Sequence, residues 1–378
     1  MREIPVLLLT GYLGSGKTTL VNRILSNRRG IKFAVIVNDI GEVNIDAALI
    51  ERDGIVGKKD ESLVSLQNGC ICCTLKMDLV EQLSDIVSMG RFDYIVIEAS
   101  GICEPEPIAR TICSIPSMGP QYVRDGLPKL DCIVTVVDAC RMRDEFACAK
   151  DLLRSNIAED DIESLVIQQV EFCNMILLNK ASLVSAEELG KVRSIIAQLQ
   201  PKAEIIECDW GDVDLDRILD TGLFNYNEVA GSAAWIEAVE GPVEDEEEGE
   251  ADEYGIGTYV YTARPPMDIN KFDNFVAKHW PAGVIRAKGL CYFTDDVDDC
   301  YLFEQSGSQI SLQNAGKWYA TMPEDELRDA MIADPVLQRD WDPVYGDRMQ
   351  KLVFIGQHLD REAIEQALDF CLLDISEL

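Results

Sequence analysis

Thr10-Gly11-Tyr12-Leu13-Gly14-Ser15-Gly16-Lys17-Thr18-Thr19 follows the apolar run Val6-Leu7-Leu8-Leu9 and leads into the helix-like stretch Leu20 to Leu25. Strand, glycine-rich turn and helix in that order are the grammar of a phosphate loop. Gly11, Gly14 and Gly16 allow a tight turn that aims successive backbone N–H groups at phosphate oxygens, and the helix adds the positive end of its dipole. Lys17 is expected to reach the β- and γ-phosphates and Thr18 to ligate Mg²⁺, with Ser15 and Thr19 in the same nucleotide-binding stretch. The pattern predicts binding of a nucleoside triphosphate with Mg²⁺. It leaves the base and the purpose open.

The chain has 378 residues, 47% of them hydrophobic, which is enough for two domains with cores of their own. Its early apolar run is too short for a signal peptide or membrane span and passes straight into the phosphate loop, so the expectation is a cytoplasmic protein with no membrane partner. Thirteen cysteines, an odd number, argue for thiols rather than a disulfide framework. A formal net charge of -33 opposes binding to nucleic acid, whose affinity for proteins comes largely from basic residues displacing counterions. Part of that charge lies in Glu244-Asp245-Glu246-Glu247-Glu248-Gly249-Glu250-Ala251-Asp252-Glu253, which reads as a self-repelling linker rather than a site.

Along the chain, Lys32 to Val37, Ser62 to Gln67, Tyr94 to Ile97, Cys132 to Val137, Met175 to Leu178 and Glu204 to Glu207 read as further strands. Helical patterns fall between them: Leu79, Leu83, Ile86 and Val87 at helical spacing, then Glu163 to Phe172 and Ala186 to Leu199. Strands so uniformly apolar are covered on both faces, as in a mostly parallel sheet flanked by helices. This predicts an α/β domain over residues 1–226, an acidic linker over 227–254, and a smaller α+β domain over 255–378. In the last, Gly257 to Ala263, Val284 to Phe293, Tyr301 to Gln305 and Lys351 to Ile355 read as strands, and Ile269 to Trp280 and Arg361 to Cys371 as helices.

Polar residues stand at the ends of several strands, where α/β sheets bind ligands. Glu98 ends one strand in the position of a carboxylate that holds Mg²⁺, and Gly101 is placed to offer its N–H to the γ-phosphate. The bland alternative for Glu98 is a surface cap on the following helix. Asn179-Lys180 begins an Asn-Lys-x-Asp guanine-reading pattern, but Ser182 stands where the Asp should be. A carboxylate accepts two N–H groups from guanine in a paired geometry that a hydroxyl cannot match. Cys70, Cys72 and Cys73 cluster after Gly69 in a predicted loop. Three thiolates there suit Zn²⁺, Cu⁺ or Co²⁺, with a fourth ligand from elsewhere, and with only His279 and His358 in the chain a carboxylate is the expected partner. The scattered cysteines read mostly as small core residues.

Taken in order, Gly11-x4-Gly-Lys-Thr, Asn38-Asp39-Ile40-Gly41-Glu42-Val43, Gly69-Cys70-Ile71-Cys72-Cys73, Glu98-x-x-Gly101 and Asn179-Lys180 resemble the CobW-like family of P-loop GTPases, relatives of the nickel-insertion GTPases for urease and hydrogenase. Gly283 to Gly289, Trp341-Asp342-Pro343, Gly346-Asp347-Arg348 and Leu352 to Gly356 look like that family's C-terminal domain. The resemblance implies GTP/GDP and Mg²⁺ as ligands, slow intrinsic hydrolysis, and GTP-driven delivery of zinc, or else cobalt, to a client metalloprotein or cofactor-assembly protein. It implies that Lys17, Glu98, Asp39 and Glu42 serve catalysis, the last two in the first switch, and that Asn179 and Lys180 contact the base. Cys70, Cys72 and Cys73, with Asp39 and Glu42, would hold the transition metal. Two departures stand out: Ser182 replaces the guanine-reading Asp, and a linker often rich in histidine in the family has none here. A different class remains open, a nucleotide-dependent interaction switch whose cysteines are structural or redox-active. A small-molecule kinase is a third reading, for which no substrate pocket is evident. Neither the client nor the oligomeric state is legible.

Overall fold

The computed structural model describes residues 2–26, 30–37, 63–65, 76–146, 157–233, 254–307 and 309–373. Asp39, Glu42, Cys70, Cys72, Cys73 and the acidic run 244–253 lie outside the described residues. Two compact units divide the chain, Met1–Cys148 with Asp161–Ala233, and Ala149–Asp160 with Ala234–Leu378.

In the first unit seven parallel strands form one sheet: β1 (Glu3–Thr10), β2 (Phe33–Val37), β3 (Leu63–Ser65), β4 (Tyr94–Glu98), β5 (Leu127–Asp138), β6 (Met175–Asn179) and β7 (Glu204–Glu207). Their order is β3-β2-β4-β1-β5-β6-β7. Every residue of β2, β4 and β6 is buried, as expected for strands covered on both faces. Helices α1 (Lys17–Leu25), α2 (Lys76–Ser88), α3 (Pro105–Met118), α4 (Ala139–Phe146), α5 (Ile157–Glu171) and α6 (Ala186–Leu199) alternate with the strands. On α1, Leu20, Val21 and Ile24 are fully buried in one core with Leu7, Leu9, Val35 and Val96, each worth about 1.5–3 kcal/mol relative to exposure.

The register decides where the polar strand ends go. Leu9 pairs with Glu98, Val37 also pairs with Glu98, Val37 pairs with Ser65, and Asp138 pairs with Asn179. The carboxyl ends of β2, β3, β4, β1, β5 and β6 therefore stand along one edge. The chain leaves β1 between β4 and β5 and turns to β2 beyond β4, so the phosphate loop opens at the point where strand order reverses, the usual ligand position in such sheets.

Helix α3 forms where no helical pattern was noted in the sequence, and it carries Pro105, Pro107 and Pro116. Pro105 occupies the first turn, where its missing N–H has no helical partner to lose. The first unit also continues past Tyr226 through α7 (Tyr226–Ala230). The Tyr226 hydroxyl donates to Glu106 Oε1 at 2.8 Å, and Gln200 Nε2 donates to Ser232 Oγ at 2.7 Å.

The second unit is an antiparallel sheet of β8 (Ile256–Ala263), β9 (Val284–Phe293), β10 (Asp296–Ser306), β11 (Gln309–Lys317) and β12 (Gln350–Gln357), ordered β11-β10-β9-β12-β8. Residues of α8 (Ile269–Lys278) and α9 (Arg361–Asp369) join its core: Phe272, Phe275, Ile364 and Leu368 pack with Phe293, Phe303 and Phe354. Strand β11 carries almost no buried residue, which is why no apolar alternation announces it. Off that core, Glu304 meets Arg286 at 2.5 Å and Lys288 at 3.1 Å. Burial pushes its carboxyl up, but the two cations together hold it below the usual range.

Eight described cysteines carry free thiols, and six of these are buried, as small core residues should be, while the buried Cys103 is disulfide-bonded. Burial pushes the Cys132 and Cys173 thiols up to about 12 and Cys208 to about 11, which keeps them protonated and poor ligands at neutral pH. No described helix is long and apolar enough to cross a membrane.

Candidate functional site

The phosphate-loop turn closes with Ser15 N–H donating to the Tyr12 carbonyl at 3.2 Å, and α1 begins as Leu20 N–H donates to Gly16 O at 3.0 Å. Gly16 is required twice over. Its φ of 114° is in the left-handed region, and a Cβ there would sit 2.3 Å from Asn179 Nδ2. Lys17 is 7% exposed, and its ammonium spans the turn, donating to the carbonyls of Gly11 at 2.7 Å and Tyr12 at 3.2 Å. The cation is thus at the centre of the loop, where phosphate charge would gather. Thr18 Oγ1 donates to Glu98 Oε1 at 2.8 Å, with Glu98 buried at the end of β4. A hydroxyl and a carboxylate in contact are hard oxygen donors at the mouth of the loop, and the pair fits Mg²⁺. The bland reading of Glu98 as a surface cap does not hold, since the side chain is 1% exposed.

Gly101 lies against the phosphate loop: a Cβ on it would come within 2.6 Å of Leu13 N. What holds it there was not legible in the sequence. Gln169 on α5, 1% exposed, donates through Nε2 to the carbonyls of Gly101 at 3.3 Å and Cys103 at 3.0 Å. Its own carbonyl accepts from Thr135 Oγ1 at 2.8 Å, and Thr135 shares a 2.7 Å hydroxyl contact with Thr10, the residue before the loop. A buried chain thus links α5, β5, the end of β1 and the loop after β4. Its members are too far apart in sequence for any spacing signal to reveal them.

Across the edge, Asn179 is 2% exposed and ties three segments together. Its Nδ2 donates to Ser15 O at 2.8 Å, and its Oδ1 accepts from Gly211 N–H at 3.1 Å. Lys180 has a left-handed φ of 61° and pairs with Asp138, the last residue of β5. Ser182 faces Asp209, just beyond β7, donating to Asp209 Oδ1 from its N–H at 3.1 Å and its hydroxyl at 2.9 Å. Nothing in the motif pointed to Asp209. Arg141 lies over the ring of Tyr12 in the phosphate loop, 4.0 Å from its centroid.

The structure therefore gathers Gly11, Gly14, Ser15, Gly16, Lys17, Thr18, Thr19, Glu98, Gly101, Asn179 and Lys180 along one sheet edge. Among the described residues no group of three or more His, Cys, Asp or Glu side chains is arranged to hold a metal ion. The expected ligands Cys70, Cys72, Cys73, Asp39 and Glu42 fall outside that description.

Two family models match the chain: the CobW/HypB/UreG nucleotide-binding domain over residues 5–207, and the cobalamin synthesis protein CobW C-terminal domain over residues 256–372. The chain is 36% identical over 391 aligned residues to zinc-regulated GTPase metalloprotein activator 1 of Dictyostelium discoideum, covering 100% of this chain and 81% of that protein. It is 29% identical to the Schizosaccharomyces pombe protein of the same name, over 95% of this chain and 83% of the relative. Zinc chaperone YjiA of Escherichia coli is 33% identical over 60% of this chain and 64% of its own length. With the phosphate loop, Thr18 beside Glu98, and both family models in their expected order, the chain belongs to the CobW/HypB/UreG family of P-loop GTPases.

Proposed function

We propose that this protein is a GTP-binding, slowly hydrolysing metallochaperone that couples its nucleotide state to holding and releasing zinc for a client metalloprotein or cofactor-assembly protein in the cytoplasm. The observation that carries the reading is the Thr18–Glu98 pair beside Lys17 at the mouth of the phosphate loop, in a chain whose relatives are named as zinc-regulated GTPase activators and zinc chaperones. Lys17 and the loop N–H groups would stabilise charge developing on the β–γ bridge as water attacks in line, and Gly101 would meet the γ-phosphate. Thr18 and Glu98 would hold Mg²⁺, which when bound neutralises charge on the phosphate oxygens. Asn179 and Lys180 would position the base.

Cys70, Cys72 and Cys73 with Asp39 or Glu42 would hold the cargo. Thiolates with a carboxylate suit tetrahedral Zn²⁺, and Co²⁺ would take the same ligands more weakly. Both cargo loops depart from the ends of β2 and β3, whose register sets Val37 and Ser65 beside the edge that carries Glu98. Linkage then requires that a nucleotide which changes zinc affinity have its own affinity changed by the same factor. The interaction-switch reading, with structural or redox cysteines, draws no support from the relatives' names.

The test is a competition titration of Zn²⁺ with the full chain in its GDP-bound and GTP-analogue-bound states, for the unaltered protein and for Cys72→Ser. The expectation is a zinc affinity that differs between nucleotide states by about 5- to 150-fold, the usual range of coupling, and that collapses in Cys72→Ser. Equal affinities in both states would sink coupled delivery even if the cysteines bind metal.

A further inference from the structure

The carboxylate that Ser182 does not supply is present one strand away. We propose that Asp209 reads guanine in place of the missing motif Asp, and that Ser182 is its positioning residue; this rests on the nucleotide-site reading above and names how that site chooses its base. Two backbone bonds join the ends of β6 and β7, Cys208 N–H to Leu178 O at 3.0 Å and Ala181 N–H to Cys208 O at 3.2 Å, which sets residue 209 beside residue 182. Both donors of Ser182 then converge on Asp209 Oδ1. A carboxylate has about four acceptor positions. Ser182 uses two of them on Oδ1, and Oδ2 has no protein donor among the described residues.

The segment around Asp209 is fixed on several sides. Asp212 N–H donates to the Asp209 carbonyl at 2.9 Å, and Arg23 on α1 reaches the Trp210 carbonyl at 2.8 Å and Asp212 Oδ1 at 2.7 Å. Trp210 has a left-handed φ of 55° and is 77% exposed, an uncommon backbone state for a bulky residue that persists only where its surroundings determine it. Gly211 N–H is bound by Asn179, which also binds Ser15 in the phosphate loop. The Asp209 carboxylate is therefore anchored through one side chain to the loop that would hold the phosphates, as recognition of a nucleotide by both ends demands.

The chemistry selects guanine. Its N1–H and 2-amino group both donate, and an ionised carboxylate only accepts; adenine presents a lone pair at N1 and no group at C2, so the same carboxylate disfavours it. Motif reasoning alone makes Ser182→Asp a gain in GTP preference. With Asp209 already at that position, Ser182→Asp instead sets two carboxylates against each other and removes the hydroxyl donor, leaving only the backbone N–H of residue 182 to orient the first.

The experiment is calorimetric titration of the full chain with Mg²⁺ and GDP, ADP, inosine diphosphate or xanthosine diphosphate, for the unaltered protein and for Asp209→Asn, Ser182→Ala and Ser182→Asp. The expected results are a clear GDP preference over ADP, a weaker inosine diphosphate lacking the 2-amino donor, and a GDP loss of at least about tenfold in Asp209→Asn. Asp209→Asn should also gain affinity for xanthosine diphosphate, because its amide can donate to the 2-oxo group, and a merely misfolded variant could not show that gain. Ser182→Ala should weaken GDP less than Asp209→Asn, and Ser182→Asp should lower the GDP preference. An unchanged GDP-to-ADP ratio in Asp209→Asn, or a raised one in Ser182→Asp, would overturn the proposal while leaving phosphate binding standing. Failure of the unaltered protein to bind any of the diphosphates would overturn it together with the nucleotide-site reading.

Discussion

The proposed phosphate end of the nucleotide site is built almost wholly from residues 10 to 19, with Glu98 and Gly101 brought in from the neighbouring strand. The proposed base end takes Asn179, Lys180 and Ser182 from the end of β6 and Asp209 from the end of β7. The contrast follows from what each end must recognise. Phosphate is met by backbone N–H groups, a helix dipole and one cation, all of which a single tight turn supplies. A base edge is met by side-chain donors and acceptors in a fixed pattern, and any segment that reaches the spot can provide them. The phosphate end is therefore constrained to a contiguous motif, and the base end is free to change which residue carries the carboxylate.

That contrast is open to test. The largest effect should come from Lys17→Ala, which removes the cation at the centre of the loop: turnover should fall by about 10²–10³-fold, with triphosphate binding greatly weakened and the ratio of guanine to adenine binding unchanged. Near-normal phosphate release in a steady-state assay would remove the phosphate-loop assignment. Next, Asn179→Ala leaves Ser15 O and Gly211 N–H without their buried partner, and should lower unfolding free energy by about 2–4 kcal/mol while loosening both ends together. An unchanged urea midpoint, with only one end weakened, would mean that the two ends are independent.

The smallest effect sharpens the comparison, because it shows the phosphate end reaching beyond its motif. Gln169→Leu removes the donor shared by the Gly101 and Cys103 carbonyls and should reduce stability by about 1–3 kcal/mol. Since Gly101 is the residue proposed to meet the γ-phosphate, affinity for a GTP analogue should fall more than affinity for GDP. Equal losses for the two nucleotides would mean that α5 does not position the loop after β4.

Legibility followed the same line. Uniformly apolar runs gave β2, β4 and β6, because strands buried on both faces have no polar register to hide. Strand β11 was missed because its residues stay largely exposed and it exists through pairing with β10, and α3, with prolines in its first turn and Pro116 inside it, was not noted. At the site, Lys17, Thr18 and Glu98 were readable from motif and strand end. Gln169, Thr135 and Asp209 were not, since each acts through a partner distant in the chain.

By itself, then, the sequence determined the phosphate loop, the run of parallel strands behind it and a second α+β region without a phosphate loop, because glycine spacing, apolar periodicity and charge act over a few neighbouring residues. Only the tertiary structure decided that Glu98 touches Thr18, that Gln169 holds Gly101, and that Asp209 stands where Ser182 leaves a carboxylate wanting. Those contacts depend on strand order and register, which bring residues 27 to 80 positions apart within hydrogen-bonding distance, and no local pattern encodes that approach.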